Sequence, residues 1–337
     1  MMDNTSFIFH LSSFINKKNL LAFSSGIDSS ALFFLLIENN IPFDIALVNY
    51  GTRVQSDREE EHAKRLAKQY NLTCHTIKAP QFTSHFEENA RKFRYDFFET
   101  LINEHHYDTL LTAHQLGDQL EWFLMRLTKG AGVSELIGLE PVTQKEHYTL
   151  VRPLLRYSKE ELLTYLKEKN HPYFEDESNC DEKYERNFFR KHFSEPLLAK
   201  YQEGIKRSFT YLYQDKGQLE SEFETLYTNQ NLHIIKLHSL QSKTKAADLT
   251  LKKLGYLLSA SQRQEIAKEN SLVIGGEWAI ELQDDLLYIA PYLATEMPKV
   301  FKEECRLKKI PSKIRPYLFQ NEKRIMKDEK LMYVLHS

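Results

Sequence analysis

Short apolar runs alternate with charged, helix-periodic stretches through the first half of the chain. Residues 20–24 form an apolar run ending in small hydroxylated residues, and residues 29–38 continue as an apolar helix stopped by Asn39-Asn40 and Pro42. Residues 44–50 are mostly apolar with little alternation, the pattern of a strand buried on both faces. A charged helix over 56–70 carries Ala63, Leu66 and Ala67 as its apolar stripe. A third strand spans 73–79, and a helix over 89–105 places Phe93, Phe97 and Leu101 four residues apart. A fourth strand at 109–113 leads into a helix over 116–127. This alternation predicts an α/β fold, a Rossmann-like parallel sheet with helices on both faces. Residues 150–155 read as one more short strand, and 158–169 as a helix opened by a Ser158/Glu161 capping box.

The second half changes in texture. A polar loop covers 171–185, and a helical pattern runs from 187 to about 227, interrupted by Pro196. Residues 233–267 read as short, lysine-rich helices. Three strand-like runs follow, Leu272-Val273-Ile274, Trp278-Ala279-Ile280 and Leu286-Leu287-Tyr288, with Gly275-Gly276 and Asp284-Asp285 as turns. The expected organisation is a catalytic domain over 1–195, a helical linker over 196–228, a small α+β module over 229–292 and a basic segment over 293–337.

Composition narrows the class. The chain has 337 residues, 42% hydrophobic and 27% charged, which suits a soluble protein of two or three domains. It shows no basic-then-apolar leader and no run long enough for a membrane span. Cys74, Cys180 and Cys305 are far apart and odd in number, so a reducing, cytoplasmic setting is expected. The net charge of −2 announces no nucleic-acid partner, yet residues 299–327 hold ten Lys or Arg against three Glu.

The chemistry concentrates where the first strand ends. Ser24-Ser25-Gly26-Ile27-Asp28-Ser29 joins a strand to a helix N-terminus, whose open N–H groups and dipole favour an anion. Gly26 permits close approach of a phosphate, and Ser24, Ser25 and Ser29 add hydroxyl donors. A left-handed backbone at Ser25 would carry mild strain. The loop lacks the lysine of the loop that handles a γ-phosphate. A Ser-rich turn with Asp28 as a helix cap is the simpler alternative. The segment from His114 through Asp118 to Glu121 falls at the end of the fourth strand, on the same sheet edge. Asp118 and Glu121 share a helix face and suit Mg²⁺ beside a triphosphate; His114 suits phosphate donation or general-base work. Arg126 and Lys129 reach phosphate or complement the helix C-terminus. Arg152 divides evenly between fold and function. Arg186 and Arg190 lie one turn apart, either salt-bridged to the acidic loop at 175–177 or clamping RNA or ATP.

The loop Ser24 to Ser29 resembles the PP-loop of ATP pyrophosphatases. Further segments occur in order: Glu88-Asn89-Ala90-Arg91 with Arg94-Tyr95, Ala113-His114 with Asp118-Gln119 and Glu121, Arg126 with Gly130, and Arg152-Pro153-Leu154-Leu155. Asp176, Ser178-Asn179, Tyr184, Arg186-Asn187 and Arg190 complete the set. Together they are similar to the tRNA(Ile)-lysidine synthetase family, well over about 18–195, weakly through the α+β module, and again at Leu307 to Arg315. The resemblance implies ATP bound by Ser24, Ser25, Gly26, Ile27, Asp28 and Ser29, and Mg²⁺ on Asp28 and Asp118. It implies catalytic roles for Asp28, His114, Asp118 and Arg126, and phosphate or substrate contacts for Arg152, Arg186 and Arg190. The implied partners are an isoleucine tRNA with a CAU anticodon and free lysine, and a homodimer is expected because such relatives are often dimeric. The wobble cytidine would be adenylated at its C2 oxygen and AMP then displaced by the lysine ε-amine, shifting codon reading from AUG to AUA.

Several positions depart from the family. Ser25 replaces the first Gly of a usual Gly-Gly pair, Asn49-Tyr50-Gly51-Thr52-Arg53 stands where Asp-His-Gly-Leu-Arg is usual, Gly117 where a second Asp is common, and Trp122 where a Thr is common. Rival readings are a tRNA thiolase, an ammonia-using synthetase of the kind that makes NAD or GMP, and a non-catalytic tRNA-binding protein. The first lacks a Cys-x-x-Cys pair, the second a glutaminase portion, and the third is opposed by Asp28, Asp118 and Glu121.

Overall fold

The computed structural model describes residues 14–51, 54–82, 84–175, 185–321, 331 and 333–334. The chain divides into two compact units, 1–213 and 214–337.

In the first unit the elements follow as β1 (Asn19–Ala22), α1 (Ile27–Glu38), β2 (Phe43–Asn49), α2 (Val54–Tyr70), β3 (Cys74–Lys78), α3 (Phe86–His105), β4 (Thr109–Leu111) and α4 (Leu116–Leu127). Then come α5 (Val133–Ile137), β5 (Val142–Gln144), β6 (Thr149–Val151), α6 (Lys159–Glu168) and α7 (Glu185–Phe189). A π-helical turn (Arg190–Ser194) joins α7 to α8 (Glu195–Ser221). The sheet order is β3-β2-β1-β4-β6-β5. All pairs are parallel except β5 with β6. Successive crossovers therefore step outward in opposite directions from β1, which puts the topological switch point between β1 and β4.

Alternate side chains of the central strands feed two apolar layers. Leu21 and Ile45 pack with Leu32, Phe33, Leu36, Leu66 and Leu162 from α1, α2 and α6. Leu20, Ala46, Leu110 and Leu150 pack with Phe98, Leu101 and Ile102 of α3 on the other face. Leu20 and Leu21 are fully buried, each such side chain contributing about 2 kcal/mol through burial. That double burial explains the near-continuous apolar runs of β1 and β2. Ser158 caps α6 as expected: its amide donates to Glu161 at 2.7 Å, and the Glu161 amide donates to its hydroxyl at 3.3 Å.

The second unit carries β7 (Phe223–Asn229), β8 (Leu232–Leu237), α9 (Lys243–Lys253), α10 (Ala260–Lys268), β9 (Ser271–Ile274), β10 (Trp278–Gln283), β11 (Leu286–Pro291), α11 (Lys299–Leu307) and α12 (Arg315–Gln320). Its antiparallel sheet runs β7-β8-β11-β10-β9. Turns fall at Gly275-Gly276 and at Asp284, all with positive φ. Two expectations are corrected here. The helical pattern stops at Ser221, because Phe223, Thr225, Tyr227 and Thr228 are strand-favouring and pair with β8 across a bulge. Residues 233–237 belong to β8 rather than a helix, with Leu232, Ile234 and Ile235 buried. The basic segment is not an appendage either. Phe301, Cys305, Ile310, Ile314, Tyr317 and Leu318 from and around α11 and α12 form one face of this unit's core.

One contact fixes the start of the loop after α4. Trp122 donates its indole N–H to the Glu135 carbonyl at 2.9 Å. A Cβ at Gly138, whose φ is +51°, would lie 1.7 Å from Trp122 Nε1. Trp122 and Gly138 therefore depend on one another. Gly138→Ala is expected to destabilise the protein by about 2 kcal/mol or more, read by urea unfolding. Adding Trp122→Thr should recover part of that loss, and an equal penalty with and without the indole would refute the clash.

Candidate active site

Two loops meet beyond the carboxyl ends of β1 and β4. The first is Ser24 to Ser29, running into α1. Gly26 is the helix N-cap, and no side chain caps the first turn, so its N–H groups are left for another acceptor. The loop is braced internally. Ser24 and Ser29 hydroxyls lie 3.0 Å apart, and the Ser29 hydroxyl donates to the Gly26 carbonyl at 3.1 Å.

The left-handed turn falls on Ser25, with φ of +61°. Its hydroxyl donates to the Glu59 carbonyl at 3.0 Å and lies 3.3 Å from His62 Nδ1. Its carbonyl accepts from the Phe174 amide at 2.9 Å. Ser25 is wholly buried and does not line the cleft, so its side chain shapes the loop rather than facing a ligand. Gly26 has an extended backbone, and a Cβ there would make only an ordinary 3.4 Å contact with Ser24 Oγ. The chain's own packing does not require glycine at 26; an approaching ligand would.

The cleft beyond this loop has a volume of about 290 Å³. Ser24, Gly26, Ile27, Asp28 and Ser29 line it together with Arg94, His114 and Lys159. A second cleft of about 150 Å³ is lined by Asp28, Asp118, Glu121, Lys159 and Arg190, among others. Asp28 and Lys159 belong to both.

Asp28 is the least satisfied group in the site. Its Oδ1 is buried without a hydrogen-bond partner among the described residues. Burial, with the neighbouring Asp118 charge, raises its pKa to about 7. A cation relieves both penalties, so the residues fit Mg²⁺. Among the described residues no group of three metal-ligating side chains exists; Mg²⁺ needs only one or two carboxylates beside phosphates.

His114 is half-buried, with Thr112 Oγ1 at 3.0 Å from its Nδ1. Burial, then the charges of Arg152, Arg186, Arg94 and Arg91, push its pKa down to about 3. Burial and the neighbouring arginines favour its neutral form, so it stands as a hydrogen-bonding group beside the loop. Arg94 and Lys159 line the cleft beside it, charges suited to a polyphosphate.

The remaining expected residues separate. Asp118 completes a capping box with Gln115, accepting from the Gln115 amide at 2.9 Å, and pairs with Arg186. Glu121, with a side chain 2% exposed, accepts from Arg186 Nε at 2.8 Å and Arg190 Nε at 2.6 Å. Arg186 and Arg190 thus engage the α4 carboxylates. Asp176, Glu177, Ser178, Asn179 and Tyr184 of the acidic loop lie outside the described residues, as do Arg53 and Cys180. Arg152 is buried away from the cleft lining, its Nη1 donating to the Glu140 carbonyl at 2.7 Å and to Thr143 at 3.0 Å. Arg126 is exposed and stacks 4.4 Å from the Trp122 ring; it lines neither cleft. A catalytic role for it is not supported by this placement. Gln115 explains Gly117: a Cβ there would meet the Gln115 amide at 3.0 Å.

Sequence reasoning passed over three cations. Arg91 and Arg94 lie in the family-like segment that follows Glu88, and Lys159 opens a capped helix, so no motif singles them out. The signal for Lys159 was its place one residue after a cap at the strand-end edge.

The PP-loop domain family matches residues 4–197. A tRNA(Ile)-lysidine synthase from Campylobacter jejuni is 46% identical over 307 residues, covering 90% of this chain and 93% of that one. Another from Helicobacter pylori is 43% identical, covering 92% of each chain.

The chain belongs to the tRNA(Ile)-lysidine synthase family.

A solved U34-tRNA thiolase from Methanococcus maripaludis shares the fold, with a TM-score of 0.52 at 16% identity over 63% of this chain and 77% of that one. In this lysidine synthase family member, burial sets a stability cost on Asp28. Its carboxyl titrates near the ordinary 3.8 in the unfolded chain and is raised to about 7 by burial in the fold. The fold therefore keeps a proton that the unfolded chain has released, and stability is lost as pH rises through that window, fully above about 7. Asp28→Asn removes the ionisation. The variant is expected to gain more stability at pH 8 than at pH 5, by up to about 3 kcal/mol, in paired thermal or urea unfolding without ligand. Equal gains at both pH values would contradict the burial of this charge.

Proposed function

We propose that this enzyme, a carbon–nitrogen ligase using ATP, converts the wobble cytidine of the CAU-anticodon isoleucine tRNA to lysidine with free lysine as the amine donor. The observation that carries this is the meeting of the Ser24–Ser29 loop and the His114–Asp118 segment at the β1/β4 switch point, in a chain 46% identical to a named lysidine synthase.

The α1 N-terminus and the Ser24 and Ser29 hydroxyls cradle the ATP phosphates. Arg91, Arg94 and Lys159 supply the charge that the lysine-free loop lacks. The cytidine C2 oxygen attacks the α-phosphorus, the bond to the bridging oxygen breaks, and pyrophosphate leaves. The lysine ε-amine, as its neutral form, then attacks C2; the C2–O bond breaks, AMP leaves, and the added nitrogen gives up a proton. If the Thr112 hydroxyl donates to His114 Nδ1, the ring carries its proton on Nε2 and offers an uncharged donor to a phosphoryl oxygen. Such donors, aimed at developing charge, are worth about 10²–10³ in rate. Asp28, with Asp118 beside it, would hold Mg²⁺, which when bound neutralises the phosphates. Arg186 and Arg190 fix the α4 carboxylates and bound the second cleft. Arg152 supports the cleft from behind through the hydrogen bonds described. The second unit, with its basic α11–α12 face, is read as a tRNA-contacting module, the cytoplasm as the setting and a homodimer as the assembly.

Incubation with ATP, labelled lysine and unmodified tRNA tests the reaction. Label is expected in the tRNA, with AMP and pyrophosphate as the nucleotide products. Asp28→Ala should lower the rate at least 10²-fold and Lys159→Met about tenfold or more. ADP and orthophosphate in place of AMP would exclude this chemistry.

A further inference from the structure

The stretch 185–194 has two faces of different character. One docks on α4 through Arg186 and Arg190. The other presents aromatic rings. Phe188 and Phe193 are 42% and 43% exposed, although both are large apolar side chains. Their centroids lie 5.9 Å apart, Phe188 lies 4.6 Å from His192, and Phe189 lies 5.4 Å from Phe193. The π-helical turn Arg190–Ser194 sits within this cluster, a local geometry frequent at functional sites.

The stretch is continuous with the cleft. Arg186 is close enough to His114 to depress its ionisation, and Arg190 lines the second cleft. Of the nearby cations, Arg186 and Arg190 are turned to the α4 carboxylates, and Lys129 at the end of α4 is held 2.8 Å from Glu185, so the outward face is marked by its rings. An exposed cluster of Phe188, Phe193 and His192 rings beside the proposed nucleotide cleft matches single-stranded RNA, whose unpaired bases stack on such rings.

We infer that Phe188 and Phe193 form a stacking platform for an unpaired anticodon-loop base next to the wobble cytidine. The inference rests on the proposed function for its choice of RNA. The reasoning is geometric. A cytidine whose C2 oxygen must reach phosphorus inside a cleft leaves its loop stack, as bases do when enzymes act on them. Its neighbour then loses a stacking partner. Rings on the rim replace that partner and hold the loop open.

The test is binding of the full-length protein to a short CAU anticodon stem–loop RNA, measured at several salt concentrations. Phe188→Ala with Phe193→Ala is expected to weaken binding about tenfold or more. The slope of affinity against salt should not change, because no phosphate contact is lost. The KM for ATP should also hold. Phe188→Tyr with Phe193→Tyr should restore affinity, and Phe188→Leu with Phe193→Leu should not. Restoration by leucine would reduce the patch to ordinary apolar packing. A change in sedimentation of the alanine variant, with RNA affinity intact, would make it an interface between copies. Unchanged affinity in a folded variant would also overturn the platform. Because binding is read without turnover, these outcomes are separate from failure of the wild type to make lysidine.

Discussion

A carboxylate held in a place that does not satisfy it governs this site. Asp28 stands in the first turn of α1 with one oxygen buried and unbonded, and its pKa is raised to about 7 by burial and by Asp118. An unsatisfied buried acceptor costs about 1–3 kcal/mol, more for a charge. A protein selected only for stability would have an apolar or hydrogen-bonded residue here. A cation and a polyphosphate bound here, as proposed, would withdraw that cost and turn the strain into binding selectivity. The surrounding sheet has the rigidity to hold it, with Leu20 and Leu21 of β1 wholly buried directly behind the loop.

The balancing charges come from elements far apart in sequence. Asp118 and Glu121 on α4 would add to the negative potential at Asp28, but Arg186 and Arg190 bind them. The Glu121–Arg190 pair is the buried one, and breaking it from one side leaves an uncompensated charge that costs about 3 kcal/mol or more. The ion-pair group therefore acts as a joint: it locks the stretch 185–194 onto α4 and sets the wall of the second cleft. Phe188 and Phe193 keep their outward placement because the arginines on the same short stretch are committed inward.

The strand–helix alternation of the first unit was legible because β1 and β2 are buried on both faces and α2 and α3 on one, so period and composition agree. The strand-end loops were legible too, because Ser, Gly and Asp there serve no strand or helix propensity. What failed was orientation. The sequence cannot say that Ser25 turns its hydroxyl back to Glu59, or that Arg126 lies on Trp122, since both depend on partners supplied by other elements. Lys159 was hidden for the opposite reason: as an ordinary residue in a capped helix, it gains meaning only when α6 is placed beside β1. In the second unit β7 and β8 were misread because lysines and glutamates of the exposed face obscured a short alternation that only cross-strand pairing reveals.

The departures from the family pattern are mutually consistent once the packing is known. Glycine at 117 leaves room for Gln115 to fold over the helix start and cap it, which fixes the Asp118 backbone without a second carboxylate. Tryptophan at 122 occupies the space that a Cβ at Gly138 would need, and carries Arg126 on its ring. A site with fewer carboxylates has less negative charge to neutralise, and Arg94 and Lys159 line the cleft while Arg152 is engaged by Glu140 and Thr143. That distribution suits attack at the innermost phosphorus. A lysine inside the loop would draw charge to the terminal phosphate; in the proposed reading, Arg94 on α3 and Lys159 at the head of α6 would instead hold the departing pyrophosphate from the sides and leave the α-phosphorus open to the cytidine.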